Sequence, residues 1–82
     1  MEDPNPQAAL AELSVARQQF ERAGQFAEAA ELVMREIVLL MRMRGRPSRK
    51  ELARSLWRLA KYGERTSPEH HRRCLYRLRL VR

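Results

Sequence analysis

Apolar and polar positions along this chain recur with the period of helices, and the few glycines and prolines fall where helices would end. Between Gln7 and Ala23, the residues Ala9, Leu13, Ala16 and Phe20 share a sector about 60° wide, a narrow seam of the kind that packs along one neighbouring helix. Gly24 closes this segment, with Arg22 in its last turn where a cation suits the helix dipole. Residues 1–6 read as a flexible leader. A second helix is predicted over 26–43. Phe26, Ala30, Val33, Met34, Ile37, Val38, Leu40 and Met41 form its broad apolar face. Leu32, Leu39 and Met43 widen that face until about 260° of the circumference is apolar, interrupted chiefly by Glu36.

Such a helix must be covered on nearly every side. Three neighbours of this length are too few, so the pattern predicts a homodimer with the second helix at its centre. Leu13, Phe20, Phe26, Val33, Ile37 and Leu40 would be its core and dimer contacts. After the break at Gly45-Arg46-Pro47, Ser48 followed by Glu51 is a capping-box pattern and opens a third helix over 48–63. Ser67, Pro68 and Glu69 are an N-cap, a first-turn proline and a first-turn acid, and open a fourth over 68–80. Arg77-Leu78-Arg79-Leu80 also alternates with the period of a strand. Cys74, Leu75, Leu78 and Val81 nevertheless share one helical sector, and the start signal favours the helix. The expected fold class is all-α: four short helices, about 7–23, 26–43, 48–63 and 68–80, packed as helical hairpins or a bundle. Residues 7–82 make one domain, with an assembly half at 7–43 and a basic half at 44–82.

Size and charge sharpen this picture. A chain of 82 residues folding alone buries only about 60–65% of its unfolded surface, a thin margin that again points to self-association or a partner. The net charge of +7 is unevenly spread: residues 1–40 hold seven acids and three bases, residues 41–82 three acids and fourteen bases. These figures exclude a multidomain enzyme and make a polyanion the first partner to consider. The single cysteine, Cys74, excludes a disulfide framework. The longest apolar run, Ile37 to Met41, is far too short to span a membrane. Glu2 and Asp3 stand where a secretory signal needs positive charge. The chain reads as intracellular, cytoplasmic or nuclear, and not secreted.

The sharpest functional feature lies on the third helix. At about 100° per residue, Lys50, Arg54, Arg58, Lys61 and Arg65 fall within one strip roughly 80° wide and about 22 Å long. Leu52, Leu56, Leu59 and Ala60 make the expected core stripe on the other side, and Trp57 and Tyr62 border the cations. Like charges at i,i+4 each cost a few tenths of a kcal/mol, so an external anion such as phosphate is the simplest compensation. The competing reading is a solvated face, or one paired with the acids Glu12, Glu21, Glu28, Glu31 and Glu36. A rigid row of cations suits a duplex backbone better than single strands, which need aromatic platforms. Two strips related by a dimer axis could span successive grooves of double-stranded RNA, in the manner of small helical silencing suppressors, an analogy of design. Arg46 and Arg49 would flank the strip. Arg44-Gly45-Arg46-Pro47 matches the core of an AT-hook, but its position between two helices favours a turn. Trp57 at the polar boundary of a basic helix would also suit a membrane surface, although the apolar sector is small.

Residues 13–33 resemble a tetratricopeptide repeat. Leu13, Ala16 and Phe20 match its first-helix packing positions, Gly24 its turn, and Phe26, Ala29 and Val33 its second helix. The sequence departs from that pattern at Arg17, where the family has a small residue, at Glu36, where it has alanine, and at Met41, where it has proline. The resemblance covers about a quarter of the chain and implies a protein-docking scaffold, the alternative to nucleic-acid binding.

Catalytic chemistry is not expected. His70 and Cys74 lie one helical turn apart, the spacing of two metal ligands, but a closed zinc site needs four. Cys74 reads as a small core residue and His70 and His71 as partly exposed. No general acid or base is placed beside either histidine, and there is no glycine-rich phosphate loop. No cofactor and no metal is expected. The sequence reading is a non-catalytic protein that binds duplex RNA in preference to DNA through Lys50, Arg54, Arg58, Lys61 and Arg65, supported by Arg46 and Arg49.

Overall fold

The computed structural model describes residues 5–43 and 46–80, with backbone alone at 46–48. Four helices account for almost all of these: α1 (Pro6–Arg22), α2 (Phe26–Arg42), α3 (Arg46–Gly63) and α4 (Pro68–Leu80). The all-α expectation holds, and the alternating segment 77–80 is helix. The AT-hook reading falls partly on residues 44 and 45, which lie outside the described residues. Arg46 and Pro47 belong to α3.

Local chemistry explains the boundaries. Asn5 and Pro6, read from sequence as leader, instead start α1: the Asn5 side-chain oxygen accepts from the Gln7 backbone N–H at 3.0 Å and Pro6 opens the first turn. Gly24, at φ 75°, ends α1, letting Gln25 N–H reach Phe20 C=O at 2.9 Å and Gly24 N–H reach Glu21 C=O at 3.1 Å. This is the paired hydrogen-bond signature of a left-handed glycine cap. Ser67 caps α4 as expected, accepting from His70 N–H at 3.2 Å. The third helix begins at Arg46, two residues before the anticipated cap at Ser48, with Pro47 in its opening turn.

α2 is the central element. It lies between α1 and α3, whose backbones stay apart and which meet only through side chains, and α4 packs against α2 and α3. Ala29, Ala30, Val33, Met34 and Ile37 of α2 join Leu59, Tyr62 and Cys74 in the core, with Phe20, Phe26, Leu52 and Leu78 packed around them. Of the residues expected as core or dimer contacts, Val33, Ile37 and Leu40 are buried and Leu13, Phe20 and Phe26 are half-buried. Neighbours within one chain cover more of α2 than its apolar circumference suggested, because α4 closes part of it. Leu32, Val38 and Leu39 remain half-buried and Met41 exposed. No helix among the described residues is long and apolar enough to cross a membrane.

Candidate nucleic-acid interface

The buried face of α3 differs from the expected one. Ser55, Leu59 and Tyr62 are buried and Leu52 half-buried, whereas Leu56 is 45% exposed and Ala60 is exposed. The inner face is thus turned by roughly 80° on the helical wheel from the Leu52-Leu56-Leu59-Ala60 stripe. Tyr62 is the physical reason. Expected beside the cations, it is instead 5% exposed, its ring 5.9 Å from that of Phe26, with its hydroxyl inside a polar cluster. A buried tyrosine needs both an apolar bed and a partner for its hydroxyl, and in this orientation Phe26 supplies the first and Glu21 and Arg17 the second.

That cluster joins three helices. Arg17 on α1 donates through Nε to Glu36 on α2 at 3.2 Å, and both side chains are about 4% exposed. Arg17 also donates to the Tyr62 hydroxyl at 3.3 Å and to Ser14 at 3.1 Å, and pairs with Glu21 at 3.4 Å. Tyr62 in turn donates to Glu21. Burial lowers the Arg17 pKa, but the Tyr62 hydroxyl and the Glu36 carboxylate outweigh it and leave Arg17 above its ordinary value. Burial pushes the Glu36 carboxyl above the usual range, against the pull of Arg17. It likewise raises Tyr62, helped by its bond to Glu21. Arg17 and Glu36 are two of the three departures from the tetratricopeptide pattern, and they are bonded to each other.

Three acids of the first half therefore have partners other than the basic strip, while Glu12 and Glu28 are exposed. Glu21 and Glu36 hold Arg17. Glu31 accepts from Arg77 of α4 with both oxygens at 2.9 Å. On α3, Lys50 and Arg49 are exposed, and Arg54 pairs with Glu51 at 2.8 Å on the surface. Glu51 lies at the edge of the strip, close enough to touch it. Arg58 is half-buried in a groove between α1 and α3 that also contains Glu36 and Glu51. Lys61 is exposed, its ammonium 5.3 Å from the centre of the Trp57 ring. Arg65 lies beyond the end of α3, in a turn where its N–H reaches Tyr62 C=O at 2.9 Å, and its guanidinium sits 5.3 Å from the Phe26 ring. Among the described residues, Arg54 is the one cation of the strip in an ion pair. The side chain of Arg46 lies outside the described residues.

With the core face turned, the cations lie beside the buried side of α3 rather than opposite it. Lys50 and Arg54 stand on the open surface, while Arg58, the exposed Lys61 and Arg65 border the groove between α1 and α3. The sequence reading overlooked a second basic surface on α4, where Arg72, Arg73, Arg77 and Arg79 are exposed around Tyr76, itself 62% exposed. Four arginines in one 13-residue helix were a legible signal, masked by the question of whether 77–80 was strand. Comparison with protein-family models, with curated proteins and with solved structures finds no match to this chain.

Proposed function

We propose that this chain is a non-catalytic nucleic-acid-binding protein whose α3 cations contact phosphates, with duplex RNA as the preferred form. The observation that carries this reading is the distribution of carboxylates. Glu21, Glu36 and Glu31 are engaged with Arg17 and Arg77, while Lys50, Arg58, Lys61 and Arg65 have no carboxylate in an ion pair among the described residues. Arg54, Arg58 and Lys61 are the central contacts, Lys50 and Arg65 the outer ones, and Arg46 and Arg49 the flanks. From Lys50 to Lys61 the helix advances about 16 Å, enough to follow a stretch of backbone without reading bases. A dimer through α1 and α2 belongs to the same proposal, supported by the exposed Val15 and Met41 and the half-buried Val38 and Leu39.

A second reading, a helical protein-docking scaffold, draws support from the apolar band that the turned α3 leaves outside: Ala53, Leu56, Trp57 and Ala60. Gel-shift titration against duplex RNA, duplex DNA and single strands separates the two. The nucleic-acid reading expects duplex RNA to shift at the lowest concentration. It also expects Arg54→Ala combined with Arg58→Ala to weaken that shift at least tenfold with the helical circular-dichroism signal intact. A protein silent on all three, or a double variant that binds as wild type, would favour the scaffold.

A further inference from the structure

The junction of α2 and α4 brings Glu31 to two side chains, His70 and Cys74, that lie about forty residues away in sequence. His70 and Cys74 share one face of α4, a turn apart, and Glu31 of α2 comes up against both. His70 Nδ1 lies 3.8 Å from the Cys74 sulfur and His70 Nε2 lies 3.7 Å from a Glu31 oxygen. One donor atom from each residue can be chosen so that all three lie within 4.8 Å of one another. Thiolate, imidazole and carboxylate are all zinc donors. At bond lengths of about 2.0–2.3 Å, two donors on one tetrahedral ion stand roughly 3.4–3.6 Å apart. The two short contacts use opposite nitrogens of the His70 ring. With one nitrogen serving both neighbours the three donors are spread over as much as 4.8 Å, so closing on a single ion takes side-chain rotation and a contraction of about 1 Å.

We propose that Glu31, His70 and Cys74 form a binding site for a divalent zinc-class transition-metal ion that pins α4 to α2. The fold gives such a pin a role, since α4 is held to the bundle through few side chains: Cys74, Leu78, the Arg77–Glu31 pair and the His71 ring beside Gly63. Cys74 is 1% exposed and supplies the inner donor, while His70 and Glu31, at 25% and 42%, leave the outer side open. Three protein donors and one open position suit a bound water or an external ligand in the fourth place. Arg77 already orients the Glu31 carboxylate, and each of its oxygens keeps a lone pair free for a metal. Binding displaces the Cys74 proton to solvent, so the thiol becomes the thiolate that the ion requires. The exposed guanidinium of Arg77 beside the site opposes the ion's charge, which sets this site below a four-donor one in affinity.

Titration of the full chain with cobalt(II) under reducing conditions tests this directly. The proposal expects one ion per chain, a thiolate-to-cobalt charge-transfer band, and displacement by zinc(II). Cys74→Ser should abolish the band, and His70→Gln and Glu31→Gln should each weaken binding by at least about tenfold. His71→Gln should leave it unchanged, because His71 is outside the cluster. Zinc should raise the melting temperature of the wild type and fail to raise that of His70→Gln, a variant changed only at a partly exposed position. Absence of the band at millimolar cobalt would overturn the site. So would a band that survives both His70→Gln and Glu31→Gln.

Discussion

At the scale of single residues, the Arg17–Glu36 pair is the feature that most constrains this fold. Two charges about 4% exposed are tolerated because Tyr62, Glu21 and Ser14 complete the hydrogen bonding of the guanidinium. Removing one partner leaves the other buried and unpaired. Glu36→Leu should therefore cost about 3–5 kcal/mol in urea unfolding, while Glu36→Leu combined with Arg17→Met should recover most of it. The pH dependence has a definite sign. Burial raises the Glu36 carboxyl, so folding favours its protonated form. That contribution is fully present below about pH 4.3, the ordinary glutamate value, and is lost as the pH rises through the raised one. Wild type should lose stability relative to the double variant over that rise, and parallel pH profiles would remove Glu36 as the cause. The sequence marked Glu36 as the chief interruption of an apolar helix and Arg17 as a departure from the tetratricopeptide pattern. Nothing in one-dimensional spacing showed that the two anomalies, 19 residues apart, cancel each other.

At the scale of elements, what was legible is what local chemistry writes. Gly24, Ser67 and Pro68 act as the spacing predicts, since caps and turns depend on neighbours in sequence. Asn5 was equally readable, and was missed because the prolines around it looked like a leader. The face of α3 was not readable from apolar content, because Leu56 and Ala60 add hydrophobicity to one side while the tertiary partners of Tyr62 turn the helix toward another. The two faces make opposite predictions. Leu59→Ala, at 2% exposure, should cost about 2–5 kcal/mol, and Leu56→Ala, at 45%, under about 1 kcal/mol. Equal losses at the two positions would mean that the inner face of α3 is not the one described. The basic strip survives the rotation in altered form. Lys50, Arg54 and Lys61 remain exposed, while Arg58 turns toward Glu36 and Arg65 leaves the helix to lie over Phe26.

At the scale of the whole molecule, charge and shape combine. Four helices fold to a radius of gyration of 12.6 Å, close to the roughly 12 Å of a compact domain of this length. Glu36 is drawn inward and Glu31 to α4, while Lys50 and Lys61 of α3 and Arg72, Arg73 and Arg79 of α4 are left to the solvent. The summed charge was legible from composition, as was its uneven spread; which carboxylates neutralise which arginines depended on packing between helices. Backbone binding by about five cations releases about as many counterions. The decisive measurement is therefore the affinity for duplex RNA from 50 to 200 mM salt. The account predicts that log affinity falls against log salt with a slope of roughly −3 to −5, made shallower by Lys50→Ala and by Lys61→Ala. Affinity that does not change across that range, or no affinity at its low end, would contradict it.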